Sequence, residues 1–250
     1  MHTRLIRSHE RRRWSDGAIT SWQSFPATGS FDLAANAFGV LMVHNDDLVD
    51  AGAGFDTHQH RNAEIVTWVL AGAIEHRDSQ GNCGLITPGV VQRMTAGRGI
   101  THSERNASPR AEHLTAHVIQ MWLPPDVDEL DPGYAEADVT ARLVGGDLVP
   151  VVSGRAVHHG SGAIAIANRF VALHIARLQP GRPVTLTPAP FGHLFVAQGS
   201  ATVIGTEFDA PLDLSVGDAV RFTDLDDHVA VSTSEQAEIL FWEMHASFDL

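Results

Sequence analysis

Two short segments of the chain carry four side chains that could bind one metal ion. They are His58-Gln59-His60 and His102-Ser103-Glu104, and one residue separates the two potential ligands of each segment. Because residues i and i+2 of a β-strand point to the same face of a sheet, each segment can aim both ligands at one point. Three imidazoles and a carboxylate suit a divalent transition metal, and a six-coordinate ion would keep two open positions. The pattern therefore predicts a metal site that performs chemistry rather than one that only holds the fold together.

The residues around these motifs are predicted to form short antiparallel β-strands. Runs such as 64–70, 73–77 and 90–96 alternate with turn pairs such as Ala71-Gly72 and Pro88-Gly89. A similar alternation of short apolar runs and turns recurs after residue 163, and the sequence shows no long amphipathic helical pattern. Dense turns favour closed barrels or sandwiches, since closure removes exposed sheet edges. We expect an all-β chain with two antiparallel β-barrel or jelly-roll domains.

A polar connector is predicted to divide the chain between Leu123 and Val149. Prolines, a glycine and acidic residues crowd together there, as in Pro124-Pro125 and Asp131-Pro132-Gly133. We therefore predict a metal-binding domain at residues 1–125, a connector at 126–148 and a second domain at 149–250. The second half has no His-x-His couple, so we expect it to bind no metal.

Composition excludes several classes of function. The chain of 250 residues has a formal net charge of −13, which disfavours a broad phosphate-binding surface, and it has no lysine for a Schiff base or a Walker motif. The 44% hydrophobic content permits a substantial core, and no apolar run is long enough to span a bilayer. The arginine-rich start lacks the apolar segment of a secretory signal, and the single Cys83 permits no internal disulfide. We expect a soluble, cytoplasmic protein that binds neither membranes nor nucleic acid directly.

The metal-site segments lie inside a longer pattern that resembles a known family. Gly52, the His58-Gln59-His60 couple, Glu64 and Gly72, followed by Gly99, His102 and Asn106, are similar in spacing to the two cupin motifs. More specifically, the N-terminal half resembles the pirin family in the following runs: His76-Arg77-Asp78-Ser79, Gly81-Asn82, Pro88-Gly89, Val91-Gln92, Met94-Thr95-Ala96-Gly97, Gly99-Ile100 and His102-Ser103-Glu104. The C-terminal half resembles this family only in its general cupin character.

The resemblance implies a bicupin with one metal ion in its N-terminal half. The ligands of the pirin family carry over here to His58, His60, His102 and Glu104, and the implied metal is Fe(II), with nickel, cobalt, manganese, copper and zinc as alternatives. In many other cupins the glutamate of the first motif is the carboxylate ligand instead. That leaves Glu64 as an alternative to Glu104, although His-x-Glu keeps Glu104 on the same face as His102.

Two functions of different classes follow from the resemblance. The first is a quercetin 2,3-dioxygenase-like activity that opens the ring of a flavonol with dioxygen, in which Glu104 accepts the proton of the substrate's acidic 3-hydroxyl. The second is an iron-dependent, redox-sensitive module that binds transcriptional regulators or metabolic enzymes. A metal-dependent isomerase or hydrolase on the same scaffold is a third hypothesis, because a fold does not fix a function.

The remaining histidines and the cysteine are given structural or surface roles. His113 and His117 would suit zinc if they were on a helix, but the alternation of residues 114–122 favours a strand. Cys83 is predicted to be a free surface thiol, and Gly97-Arg98-Gly99 to be the turn that positions His102. The other histidines predicted to be structural or exposed are His158, His159, His174, His193, His228 and His245.

Overall fold

The structure is a computed structural model that describes residues 1–26, 32–205, 210–226 and 228–248. Strands make up 55% of the described residues and helices 7%, so the prediction of an all-β chain is confirmed. The single α-helix among the described residues, α1, spans Thr140–Leu143, and short 3₁₀ helices span Ser8–Glu10, Ala34–Asn36, Arg110–Glu112 and Ala156–His158. The strands are β1 (His2–Ile6), β2 (Arg12–Ser15), β3 (Ile19–Gln23), β4 (Val43–Val49), β5 (Gly54–His60), β6 (Glu64–Ala71), β7 (Ile74–Asp78), β8 (Cys83–Ile86), β9 (Val90–Thr95), β10 (Ile100–Asn106), β11 (Ala116–Leu123), β12 (Gly133–Asp138), β13 (Val149–Ser153), β14 (Ile164–Ala165), β15 (Val171–Leu178), β16 (Val184–Thr185), β17 (Ala189–Gln198), β18 (Ser200–Ile204), β19 (Leu212–Ser215), β20 (Ala219–Leu225), β21 (Ala230–Ser232) and β22 (Ala237–Met244).

Each half of the molecule contains a seven-stranded sheet and a four-stranded sheet. In the N-terminal half the seven strands run in the order β12-β9-β6-β11-β4-β3-β2, and the four in the order β5-β10-β7-β8. In the C-terminal half the orders are β1-β20-β17-β22-β15-β13-β14 and β16-β21-β18-β19. The pairings are antiparallel except for that of β13 with β14, so the described strands follow the antiparallel architecture expected of jelly-roll domains.

Two strands join a sheet that lies outside the domain limits predicted for them from the sequence. Strand β1 pairs with β20, from His2 opposite Thr223 to Ile6 opposite Ala219, and so belongs to the C-terminal sheet. Strand β12 comes from the predicted connector but pairs with β9 in the N-terminal sheet. The domain limits at 125 and 149 stay a prediction; β1 crosses from the N-terminal part of the chain to the C-terminal sheet, and β12 extends the N-terminal sheet past residue 125.

The largest hydrophobic cluster joins the two seven-stranded sheets. It includes Trp68 and Ile119 from the N-terminal sheet and Leu173 and Trp242 from the C-terminal sheet, all of them buried. Across this cluster the Trp68 Nε1–H donates a hydrogen bond of 2.7 Å to Glu238 Oε1. Separate apolar clusters fill the interiors of the two barrels. The halves are therefore held together by a continuous core, which also fixes the strands that carry the candidate site.

No helix among the described residues has the length and apolar character needed to cross a lipid bilayer.

Candidate metal centre

Three of the four predicted ligands meet on two neighbouring strands of the N-terminal four-stranded sheet. Strands β5 and β10 pair antiparallel, with His58 opposite His102 and His60 opposite Ile100. One nitrogen from each of His58, His60 and His102 lies within 4.8 Å of the others. The ring centroids of His58 and His102 are 4.4 Å apart, and those of His58 and His60 are 4.8 Å apart. The two-residue period of the strands thus does bring the imidazoles to one point.

Glu104 lies beside His102 but is separated from the other two imidazoles by a change in register. The pairing of β10 with β5 shifts between His102 and Glu104, which is the signature of a β-bulge. Gly54 of β5 allows this close approach, because a Cβ there would collide with the Glu104 carbonyl oxygen. Glu104 forms a second group with His102 and His76, whose ligand atoms also lie within 4.8 Å of one another. The extra residue lies on β5 between Phe55 and His58, so His102 and Glu104 keep the i, i+2 spacing that places both side chains on one face of β10.

The Glu104 carboxylate is buried and held by two neutral donors. Gln120 Nε2 donates to Oε2 over 2.6 Å, and Thr67 Oγ1 donates to Oε1 over 3.4 Å. The Trp122 Nε1–H donates to Gln120 Oε1 over 3.0 Å, and since indole nitrogen is only a donor, this contact directs the Gln120 amide nitrogen toward Glu104. No pattern in the sequence predicts this chain of three side chains.

The alternative carboxylate, Glu64, has a different environment. It is fully buried at the start of β6, where Oε2 accepts hydrogen bonds from Thr95 Oγ1 and from the backbone N–H of Ala167 in the C-terminal half. Burial raises its pKa above the ordinary value. Within the described part of the chain Glu64 belongs to neither histidine group. Its contacts support a role in joining the halves.

The electrostatics of the three imidazoles suit a bound cation. Burial is the main cause that lowers the pKa of His60 and that of His102 to about 3, with a further lowering from neighbouring imidazoles, so both rings are neutral at pH 7. The Nε2 atoms of His60 and His102 are buried and meet no hydrogen-bond partner among the described residues. His58 Nδ1 must donate to the Asp56 carbonyl oxygen 2.7 Å away, which leaves its Nε2 lone pair free. Three available imidazole nitrogens and a nearby carboxylate fit a divalent transition metal.

His76 is a functional candidate that the spacing of the two metal-binding segments does not predict. It lies opposite Glu104 on β7, and its Nδ1 is 3.5 Å from His102 Nδ1. Its ring packs against Tyr134 of β12 with centroids 5.0 Å apart, and Gly84 leaves room for the tyrosine hydroxyl. The inward alternation of Ile74, His76 and Asp78 is the signal that could have identified it.

Most of the other histidines and Cys83 have the structural environments that the sequence predicted. Residue 117 lies in strand β11, as predicted, but the strand begins at Ala116 because His113 adopts a left-handed conformation after a 3₁₀ turn. His117 Nε2 lies 2.5 Å from Asp46 Oδ1. Cys83 is free and exposed, which confirms its prediction as a surface thiol. His193 is buried, and His159 is exposed.

The chain is similar to a known family and to named bacterial proteins. A family model described as Pirin matches residues 7–123. A Mycobacterium tuberculosis protein, provisionally named a quercetin 2,3-dioxygenase, is 43% identical over 243 residues, which is 95% of each chain. An Escherichia coli K12 protein named quercetin 2,3-dioxygenase is 40% identical over 132 residues, or 53% of this chain and 56% of that one.

Solved structures extend the similarity over both halves of the molecule. The crystal structure of YhhW from Escherichia coli is 27% identical, with a TM-score of 0.85 and coverage of 98% of each chain. A second structure, titled as the bacterial pirin YhhW in complex with nickel(II), gives a TM-score of 0.83 over 98% of this chain and 100% of that one. The two-domain architecture is therefore shared with relatives of known structure.

Proposed function

The chain belongs to the pirin family, and on that premise we propose that it is a metal-dependent dioxygenase that opens the ring of a flavonol such as quercetin. The observation that carries the proposal is the group formed by His58, His60 and His102, in which two buried Nε2 atoms have no partner among the described residues. The names of the M. tuberculosis and E. coli relatives support the reaction class.

We propose Fe(II) as the native metal, with His58, His60, His102 and Glu104 as its ligands. When bound, a redox-active divalent ion supplies Lewis acidity toward a hydroxyl group and electrons for dioxygen chemistry. The nickel(II) complex of the E. coli pirin supports a divalent metal in this fold, and nickel, cobalt, manganese, copper and zinc share much of the same ligand preference.

Glu104 is proposed to hold the proton that the flavonol hydroxyl loses. Its carboxylate oxygens are fixed in place by the donors Gln120 Nε2 and Thr67 Oγ1. Fixed donors limit the rotation of the carboxylate, so a substrate hydroxyl meets a base in one orientation. Gln120 acts through Glu104, and the Trp122 Nε1–H acts through Gln120, so we assign both hydrogen bonds positioning roles.

The substrate is proposed to approach from the half-buried side of the site, where His58 and His60 lie. On the interior side, Glu104 and Gln120 border a cavity of about 10 Å³ together with Val49, Phe55, Ile74 and Val118. A space of that size holds about one water-sized molecule, far less than a flavonol needs. The Trp122 ring, 4.7 Å from that of His60, then offers an aromatic wall against which a flat substrate could stack.

Oxygen uptake tests this proposal directly. The chain is loaded with Fe(II) without oxygen, its iron content is measured, and quercetin is added with dioxygen to the wild type, to His58→Ala and to the matched control His113→Ala, which changes an exposed histidine. We expect uptake by the wild type and the control and none by His58→Ala. Iron-loaded wild type that takes up no oxygen would contradict the proposal and favour the iron-dependent partner-binding alternative.

A further inference from the structure

A second cluster of potential metal ligands lies in the C-terminal half, far along the sequence from the first. His174 of β15 and Glu243 of β22 are buried on neighbouring strands, and His158 ends the 3₁₀ helix Ala156–His158 beside them. One nitrogen or carboxylate oxygen from each of these three residues lies within 4.8 Å of the others. The ring centroids of His158 and His174 are 5.3 Å apart. The fold thus assembles an imidazole pair next to a carboxylate.

Each of the two imidazoles has one nitrogen that forms a hydrogen bond with a neighbouring side chain and one nitrogen whose lone pair is available. His174 Nε2 is 2.8 Å from Glu243 Oε2, and since an ionised carboxylate only accepts, Nε2 carries the proton and Nδ1 keeps its lone pair. His174 Nδ1 is buried without a hydrogen-bond partner in the described ranges. His158 Nδ1 is 2.9 Å from Ser153 Oγ, whose own proton can be donated to the Val171 carbonyl oxygen. His158 Nε2 then remains available.

The charges around Glu243 indicate that this carboxylate orients a ligand instead of binding a metal itself. Its Oε1 atom lies 2.9 Å from Arg155 Nε and 2.9 Å from His245 Nε2. Arg155 therefore already balances the negative charge of Glu243, whereas the donors to Glu104 are neutral. A carboxylate that accepts the second N–H of a histidine is the usual outer partner of a metal-binding imidazole, because it fixes the tautomer and makes the ring more basic.

We propose that His158 and His174 form a second binding site for a divalent transition metal that prefers imidazole, such as zinc, cobalt, nickel or copper, with Glu243 as the outer partner of His174. This revises the expectation that the C-terminal half binds no metal. That expectation depended on the absence of a His-x-His couple, and indeed strands β16, β18, β19 and β21 contain no histidine. The new site lies on the seven-stranded sheet instead, and solvent reaches it through the half-buried His158.

Counting bound Co(II) tests the second site. The metal-free, full-length chain is titrated with Co(II), and metal per chain is measured by elemental analysis after desalting, together with the visible absorption of the bound ion. We expect two equivalents for the wild type and one for each of His58→Ala, His158→Ala and His174→Ala. Glu243→Gln removes the charge that orients His174, and we expect it to weaken the second equivalent by about 10- to 100-fold.

The matched control is His159→Ala, which removes the exposed histidine next to His158 and should keep both equivalents. Because His158 lies on a half-exposed turn, His158→Ala decides the question even where His174→Ala fails to fold. A wild type that binds one equivalent, or a His158→Ala chain that still binds two, would overturn the second site. Such a result leaves oxygen uptake at the first site untouched, so the two proposals fail separately.

Discussion

The two histidine clusters differ in how far apart their residues lie in the sequence. In the N-terminal half, His58 and His60 come from one strand and His102 from the strand paired with it, so two short motifs contain the whole group. In the C-terminal half, His158, His174 and Glu243 come from a turn and from two strands of a different sheet. A short motif makes the first cluster visible in the sequence, whereas only the folded chain creates the second.

The clusters also differ in their charge environment. The N-terminal imidazoles present unpartnered nitrogens, and the carboxylate beside them accepts hydrogen bonds from the neutral groups of Gln120 and Thr67. In the C-terminal cluster, Arg155 already lies against Glu243. A bound cation there would face a neighbouring guanidinium, and we therefore expect the first cluster to bind metal more tightly than the second.

The largest effect is expected from His102→Ala, which removes the imidazole shared by both N-terminal groups. The first site should then lose its metal, and quercetin-dependent oxygen uptake should fall below detection, while the second equivalent of Co(II) remains. Elemental analysis and an oxygen electrode measure the two results. Loss of both equivalents from a folded chain would mean that the clusters are not independent.

The next effect is expected from Glu104→Gln, which keeps the shape of the side chain but removes the base. Metal should be partly retained, and turnover should fall by about 10²- to 10⁴-fold, the usual contribution of general base catalysis. Steady-state oxygen uptake on metal-replete protein measures this. An active, metal-replete Glu104→Gln chain would refute the assignment of the base.

A smaller effect is expected from Gln120→Leu, which removes the 2.6 Å hydrogen bond to Glu104 Oε2 while keeping a side chain of similar size. Turnover should fall by about 10- to 100-fold with metal retained, because the carboxylate loses its main orienting donor. Trp122→Phe, which removes the Nε1 donor to Gln120 but keeps an aromatic ring beside His60, should lower turnover less. If Trp122→Phe instead lowers turnover more than Gln120→Leu, the main role of Trp122 is contact with the substrate and not the hydrogen bond to Gln120.

The contact between the halves can be tested with Trp68→Phe. The change removes the N–H donor of Trp68, a residue of the largest core cluster, and so leaves Glu238 Oε1 without it. We expect the free energy of unfolding to fall by about 1–3 kcal/mol. Urea denaturation followed by circular dichroism measures it, with the half-buried Trp14→Phe as control. A loss no larger than that of the control would show that this contact contributes little.

The smallest effect is expected from Asp47→Asn beside the N-terminal centre. Burial is the main cause that raises the pKa of Asp47 from 3.8 to about 7, so the folded chain holds this proton more tightly than the unfolded chain. The folded state therefore loses stability as the pH rises from about 4 to about 7, and Asn should stabilise the protein at pH 8 but not at pH 4. Urea midpoints at both pH values measure this, with the exposed Asp50→Asn as control. Equal changes at pH 4 and pH 8 would count against a raised pKa.

The local sequence pattern was enough to predict several strands and to predict that three imidazoles lie close together. Alternation and turn residues predicted strands near β6, β7, β9 and β11, and the i, i+2 spacing predicted that His58, His60 and His102 share a face. The bulge of β5 between Phe55 and His58 was not predictable, because it depends on the register in which β5 pairs with β10. The pairing of β1 with the C-terminal half and of β12 with the N-terminal sheet was also missed, since neither strand carries a sequence signal for its partner.

By itself, the sequence determined the all-β class, the family and the N-terminal imidazole group, because each depends on residue types at short, fixed spacing. The tertiary structure alone decided which residues support that group, placing His76 opposite Glu104 and Gln120 next to its carboxylate. It also brought His158 and His174 to Glu243 across two strands and a turn. The physical reason is that strand pairing joins residues far apart in the chain, and their contacts depend on register and burial that no local pattern encodes.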